Sequence, residues 1–458
     1  MPLSRLSDIL CEYDAQFQEP LARLQEAGNL ALMVMAAWTV VRLLAVRLIE
    51  EGLSVRARLP TSWPVCRSCG RRLQSKGFRE RVVCTLFGPI HWRRRVGRCP
   101  NGCVGSQVAP LDQALGLVAH QRTGTEVQWM GCLLAVFVPD ETAGVVLGQL
   151  TGVVLAPGTL WRWVQRVGQR AMVQLEEELQ GLAAGVLPQA EPVAAELTGL
   201  PLVIGADGVM VPFRAHPGTP KGKTRWREVK VAILARLGER LTRQGKRVTR
   251  LCQRRLVAVL GSIDELTPRL WLEAVRQQVH TAVRVVWLSD GGAGFWTVFQ
   301  RCFKGLGATA ILDFYHAAQN LYKGARAWLD GRTRACQQQV ADWRHRLRHG
   351  HEQPVLAKLA ALVEDEHLPD SARETLTNLY HYLKTHEDHI QYEHFKAPGL
   401  PIGSGLVESA CKWLIQQRFK GVGMRWSEPG FNHLLHLRLA WVNQRFDSFF
   451  PEMLPSPN

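Results

Sequence analysis

At Leu200 the apolar residues change their period from helical to alternating, and this change limits the folds open to the chain more than any other feature. The segments LPLVIGADGVMVPFR, WREVKVAILARL and RRLVAVLGS read as three strands. DELTPRLWLEAVRQQV reads as a helix, RVVWLSDGG as a fourth strand and ATAILDFYH as a fifth. Hairpin-like strands followed by a helix and two further strands predict a mixed sheet flanked by helices. In such a sheet the first and fourth strands lie side by side.

Three carboxylates fall at informative places on this pattern. Asp207 lies in the first strand, in IGADG between apolar runs, where an unpaired charge is costly unless it meets a cation. Asp290 ends the fourth strand in WLSDGG, with Gly291 and Gly292 leaving room for a turn and for a ligand. Glu408 follows the Gly/Ser turn of IGSGLVESACKWLIQQRFK, in the first turns of a helix. Taken singly each has a plain explanation, since Asp before Gly-Gly often makes a turn and Glu near a helix start complements the dipole. As a trio on this strand order, the layout of a ribonuclease-H-like fold, they can converge as hard oxygen ligands for Mg2+ or Mn2+. Two such ions stabilise the attacking and leaving oxygens of displacement at phosphorus. Asp313, which ends the fifth strand in ILDFYH, competes with Asp290 for the second place.

Charge points the same way. Lys and Arg number 56 against 40 Asp and Glu, a formal charge of +16, so polyanions are attracted. Nucleic acid is the favoured partner over an anionic membrane surface. The apolar run Leu30 to Val41 stops at Arg42, short of the roughly 20 residues that span a bilayer, and is expected to be a buried helix. The first residues lack the pattern of an export signal. A cytoplasmic, nucleoid-associated protein without a membrane partner is expected, with its eleven cysteines reduced. Cys66-x-x-Cys69 and Cys99-x-x-x-Cys103 flank a hairpin, RVVCTLFG and PIHWRRRVGRC, and can place four thiolates around one tetrahedral Zn2+ as in a zinc ribbon. Cys84 reads as a small core residue and His91 as a weaker alternative ligand. Arg93, Arg94, Arg95 and Arg98 form a basic run that faces either phosphates or solvent.

A chain of 458 residues exceeds one core and divides into modules. Residues 1–58 are read as an N-terminal helical region, 59–111 as the zinc-ribbon-like module and 112–175 as helical. In that third region DETAGVVLGQLTG and PGTLWRWVQRVGQRAM have the layout of a helix-turn-helix, or of any short-looped helical hairpin. Its second helix carries Thr159, Arg162 and Arg166 toward DNA. Residues 176–199 read as a linker. Residues 200–316 and 396–450 form the α/β catalytic domain, and 317–395 a helical insertion within it.

The block PIGSGLVESACKWLIQQRFKGVGMRWSEPGFNHLLHLRLA resembles the C-terminal signature of ISKra-type insertion-sequence transposases, a bacterial branch related to the Mutator-like superfamily. IGADGVMVPFR with WREVKVAIL is similar to that group's first-Asp segment and WLSDGGAGFW to its second. LDFYHAAQNL resembles its Asp-x-x-His motif, here Asp313 and His316. The Cys pairs followed by PLDQALGL resemble its N-terminal region. The resemblance implies a DDE transposase with Asp207, Asp290 and Glu408 as catalytic, metal-holding acids and His316 beside the scissile phosphate or bracing the site. It also implies terminal inverted repeats as the bound DNA, and at least a dimer to bring two ends together. Around Glu408, Lys412, Arg418, Lys420 and Arg425 are expected to meet phosphates, and Trp413 and Trp426 supply aromatic faces for an unpaired base. A non-catalytic regulator and a stand-alone nuclease are the alternatives.

Overall fold

A computed structural model describes residues 15–215 and 223–454; the first fourteen residues of the expected N-terminal helical region lie outside it. Two compact units divide the chain, residues 1–164 with 447–458, and residues 165–446.

In the first unit, helices Ala15–Gln25 and Leu30–Arg58 precede an antiparallel hairpin of β1 (Gln74–Thr85) and β2 (Gly88–Arg98). Asn29 caps the longer helix, its side-chain oxygen accepting from the Leu32 N–H at 3.0 Å. The expectation of a short buried helix here is corrected. The helix runs through Arg42 for 29 residues, and only Ala36, Leu53 and Ala57 are buried. Arg42 does not stop it, because the guanidinium reaches away to the Phe87 carbonyl at 3.3 Å. Leu30, Met35 and Val41 are exposed, and by length and composition alone this helix could cross a membrane.

Helices Thr125–Phe137 and Asp140–Thr151 follow. Gly152, at φ +74°, ends the second of these as a left-handed cap, and Pro157 opens the next helix. That helix continues to Ala183, well past the boundary expected at 175, because its amphipathic pattern persists through LEEELQGLA. Nor is the rest of the 176–199 segment a loose linker. Glu191 in it accepts from Arg255 Nε at 2.7 Å and Gln277 Nε2 at 2.8 Å, and it also pairs with Arg445.

The second unit holds a mixed five-stranded sheet in the order β5–β4–β3–β6–β7. β3 (Leu202–Arg214), β4 (Thr224–Leu241) and β5 (Arg247–Val259) are antiparallel neighbours. β6 (Val285–Ser289) and β7 (Thr309–Leu312) join β3 in parallel, so the first and fourth strands of the domain are adjacent as expected. Parallel pairing needs crossovers, which Ile263–Arg276 and Ala293–Cys302 supply. Ser262 and Glu265 form a reciprocal capping box at the start of the former.

The helices of the 317–395 stretch share one core with this sheet. Leu321, Trp343, Leu359, Leu376 and Leu383 belong to the same apolar cluster as Val203, Trp287 and Ile311. The first of these helices begins at Phe314, so the helical part starts directly at the end of β7. His386, tilted against Trp296 with ring centroids 4.5 Å apart, is buried, and its Nδ1 has no hydrogen-bond partner. Burial, helped by the charge of His389, lowers its pKa to about 4. A lowered folded-state pKa means that the unfolded chain binds the proton more readily, so stability is complete above pH 6.5 and falls as the pH drops toward 4. Between pH 6.5 and 5 the thermal midpoint is expected to fall by roughly 2–5 °C. The His386→Phe variant should show a flatter limb in scanning calorimetry; an identical slope would remove His386 as the cause.

Candidate functional site

Asp207 lies mid-strand in β3, two residues after Gly205 and therefore on the same face of the sheet. At Gly205 an added Cβ would stand 2.8 Å from Leu406 Cδ1 and 3.4 Å from Val407 Cβ. Its missing side chain lets the helix Gly405–Ala410 lie directly on the strand, which brings Glu408 toward Asp207. Asp207 Oδ1 accepts from the Gly208 N–H at 2.7 Å. Burial raises the Asp207 pKa, and the charges of Asp290 and Glu408 push it further in that direction.

Asp290 follows the last residue of β6. Its Oδ1 accepts from the Gly292 N–H at 3.0 Å, and its carbonyl accepts from Trp296 Nε1 at 2.7 Å and Ser289 Oγ at 3.2 Å. The Tyr382 ring is seated on Gly291, where any Cβ would stand 1.9 Å from Cε2. Glu408 is partly exposed and has Lys412 Nζ 3.8 Å away. Three carboxylates thus share one field. Their oxygens do not all gather within 4.8 Å of one another, as the cysteine sulfurs described below do. The donor set suits hard divalent cations, since like charges facing one another are relieved by a cation between them.

Asp313 has a different environment from Asp290. It is fully buried and caps the Phe314–Trp328 helix, accepting from the Tyr315 N–H at 2.7 Å, from His316 Nδ1 at 2.9 Å and from Ser404 Oγ. Burial alone would raise its pKa, but the bonds from His316, Ser404 and Tyr315 outweigh it and the net shift is downward. His316 moves upward, first through its bond to Asp313 and then, against burial, through the charges of Asp313, Asp290 and Asp207. The carboxylates around His316 thus favour its protonated form. Ser404, in the turn that opens the Glu408 helix, was not visible as a site residue in the sequence. The Gly-Ser-Gly turn was legible, but its partner lies 91 residues away.

The other expected site residues are placed unevenly. Lys412, Lys420 and Arg425 are exposed, and Lys420 Nζ stands 5.5 Å from the Trp226 ring. Arg418 is only 3% exposed and lies over the Trp426 ring at 5.5 Å, so no open face remains for a phosphate. Trp426 packs on Phe419 and Phe431, donates to the Phe419 carbonyl and bridges to β3 at Phe213. Both residues hold the end of the sheet rather than facing outward. Arg162 and Arg166 are exposed on the Pro157–Ala183 helix, Arg162 bonded to the Gly158 carbonyl at 3.2 Å. Within the basic run of β2, Arg94 is engaged internally by Asp112 at 3.1 Å.

In the other unit, Cys66, Cys69, Cys99 and Cys103 offer sulfurs that all lie within 4.8 Å of one another, Cys69 and Cys99 at 3.4 Å. A tetrahedral site with metal–sulfur bonds of about 2.3 Å separates its sulfurs by roughly 3.8 Å, so the four fit one Zn2+. Backbone N–H groups of Ser68 and Cys69 lower the Cys66 pKa to about 7, while hydrogen bonds with Cys69 and Cys99 push that of Cys103 up to about 12. Were all four ionised, a cation between them would relieve their repulsion. Neither Cys84 nor His91 belongs to the cluster.

No known family profile matches the chain. It is similar to a UPF0236 protein in the vanSb 3′ region of Streptococcus gallolyticus, 24% identical over 381 residues, covering 82% of this chain and 76% of that one. Among solved structures it superposes on the Drosophila P element transposase strand transfer complex with a TM-score of 0.33 and 10% identity, covering 72% of this chain and 94% of that one.

Two outcomes are expected. Purified in reducing buffer, the protein should carry about one zinc ion per chain by elemental analysis, and Cys99→Ser should lose it; a folded, reduced, zinc-free preparation contradicts the assignment. Asp313→Ala should cost about 3 kcal/mol, since it strands the half-buried His316 and the buried Ser404, while Asp290→Ala should change stability by less than about 1 kcal/mol. Equal losses in chemical denaturation would show that the two acids do not differ in this way.

Proposed function

We propose that this protein is a DDE-type DNA transposase of the ISKra kind, built on a ribonuclease-H-like catalytic domain. The observation that carries the reading is the placement of Asp207 and Asp290 at one level on adjacent parallel strands, with the helix of Glu408 packed on β3 at Gly205. Support for the fold comes from the sheet itself, whose three antiparallel strands are extended by two parallel ones in the order β5–β4–β3–β6–β7. Asp290 is preferred to Asp313 as the second acid because Asp313 is buried and its oxygens are occupied by internal donors.

Asp207, Asp290 and Glu408 would hold Mg2+ or Mn2+, which when bound supply charge stabilisation to the attacking and leaving oxygens of a phosphodiester displacement. The rest is done by the chain. Its carboxylates fix where the scissile phosphate can sit, and burial of Asp207 excludes water from one side of that place. His316, oriented by its bond to Asp313, which also favours its protonated form, would donate toward a phosphate oxygen. Lys412, Lys420 and Arg425 neutralise the backbone of the flanking duplex.

In this reading the four-cysteine hairpin is a zinc ribbon that docks on terminal inverted repeats. The first seven residues of β1 are exposed, and with β2 they display Arg79, Arg93 and Arg98. Arg162 and Arg166 add contacts from a helix-turn-helix. Recombining two ends requires at least a dimer.

The test uses duplex DNA from the flanks of the gene, with Mg2+. Wild-type protein is expected to yield nicked and joined products. Asp207→Ala, Asp290→Asn and Glu408→Gln should each lower cleavage on the order of 10³-fold or more while leaving retention of the duplex in gel shifts nearly unchanged. Cleavage by Asp207→Ala at the wild-type rate would end the assignment, and products that are cut but never joined would reduce the function to a nuclease.

A further inference from the structure

A groove of about 1060 Å³ opens in the second unit along the edge of the sheet, between β5 and the helix that carries Glu408. Ser409 and Ala410, the residues after Glu408, line one wall, and Arg250 and Arg254 of β5 line the other. Both arginines are exposed, and among the described residues neither is engaged in an ion pair, unlike the neighbouring Arg255, which is tied to Glu191. Glu196 is the one carboxylate on the lining, so the groove is net positive.

Trp413 stands at its rim. The indole is 39% exposed, yet its place is fixed: the Arg438 guanidinium lies 5.4 Å from the ring and Trp441 is 5.8 Å away. On the far side of Trp413 a second depression of about 700 Å³ is lined by Lys412 and Lys420. The indole therefore forms a ridge between two basic hollows.

The backbone of the groove is also unusual. β5 carries a bulge opposite β4 between Leu234 and Arg236, and Gln253 within it adopts φ +45°. Gln444, on the opposite lining, adopts φ +62°. Side chains other than glycine seldom hold such angles, and both bulges and strained residues gather where a chain must re-aim a side chain toward a ligand. Beside the bulge Arg254 is exposed, while Arg255 is buried.

We propose that this groove binds unpaired nucleotides of a DNA strand running from the carboxylates, with a base stacked on Trp413 and phosphates held by Arg250 and Arg254. The inference rests on the reading that the protein cuts DNA. An aromatic face beside spaced cations is the chemistry that holds single strands without regard to sequence, because every base has a stacking face and every nucleotide a phosphate. Duplex DNA cannot offer a base to Trp413 without opening. The groove thus selects an opened end, as left by a nick or by local melting.

The test uses the full chain without divalent metal and a single-stranded oligonucleotide carrying 2-aminopurine, whose fluorescence falls on stacking. Wild-type protein should quench the probe, Trp413→Ala should bind at least about 10-fold more weakly without quenching, and Trp413→Phe should restore both. Arg250→Gln with Arg254→Gln should keep quenching at saturation and lower the salt dependence of binding by about two charges. Thermal melts verify that the variants fold. Quenching and affinity unchanged in Trp413→Ala would overturn the proposal. So would an unchanged salt slope in the double arginine variant. If wild-type protein cuts DNA but the probe ignores Trp413, the groove fails and the carboxylate reading stands. If the probe stacks on Trp413 while no DNA is cut, the groove stands and the carboxylate reading fails.

Discussion

A single buried carboxylate holds the candidate site together. Asp313 leaves β7 with its N–H bonded to the Ser289 carbonyl at the end of β6, and the next N–H, that of Phe314, bonds to the Ile402 carbonyl. Its side chain then caps a helix, orients His316 and takes the Ser404 hydroxyl. Four segments meet at this one residue: the strand that delivers Asp290, the end of β7, the helix of His316 that follows it, and the turn that opens the helix of Glu408. A buried acid would ordinarily be a liability. Its oxygens are satisfied by three donors, the Tyr315 N–H, the His316 ring and the Ser404 hydroxyl, so the desolvation cost is offset and the same bonds give the site its rigidity.

The second constraint is steric. Gly205 carries no side chain at the point where the Glu408 helix crosses β3, so helix and strand approach within contact of Leu406 and Val407. Any larger residue would lift that helix and carry Glu408 away from Asp207. The strand order does the rest, since parallel pairing of β3 with β6 sets Ala206 opposite Ser289 and places Asp207 and Asp290 at the same level of the sheet. Asp207 then sits among like charges, and its raised pKa reflects burial first and those charges next, with His316 as the one cation that opposes them. A carboxylate in that position is costly to the fold, and a proton or a cation relieves it.

Much of this was legible in the sequence because it depends on local pattern. Alternating apolar residues gave the strands, and a carboxylate inside IGADG or ahead of Gly-Gly is conspicuous against them. Two Cys pairs flanking a hairpin similarly required no long-range knowledge. What was not legible depends on partners remote in sequence. Arg418 looked like a phosphate contact from composition, yet it is buried over Trp426, because the turn 420–427 folds back on Phe419. Ser404 was hidden because its acceptor is 91 residues away. The Leu30–Arg58 helix shows the converse: hydropathy identifies apolar residues but not whether anything covers them, and only three residues of that helix are buried. The LEEEL run read as a linker for a related reason, since a solvated acidic face is common to loops and to amphipathic helices.

One further feature links the sheet edge, the helix of Glu408 and the C-terminal helix. Residues Cys411–Gln416 form a widened turn with i to i+5 bonding, a geometry that is rare and clusters at functional sites. Widening removes some carbonyls from their ordinary partners, and here Arg438 supplies donors instead, Nε to the Leu414 carbonyl at 2.8 Å and Nη2 to the Trp413 carbonyl at 2.6 Å. Burying a guanidinium this way is costly, and burial lowers its pKa to about 10. The cost is offset by those hydrogen bonds and by the Trp413 ring, over which the same guanidinium lies. Lysine could not replace it, because an ammonium lacks the planar fork that reaches two carbonyls and a ring together. From the same C-terminal helix cap, Asn443 exchanges two 2.8 Å hydrogen bonds with the backbone of Leu256, closing the edge strand β5. The wide turn, the indole above it and the edge strand opposite are therefore fixed by two residues of a single helix, so the groove between them is preformed and its occupant need not spend binding energy on shaping it.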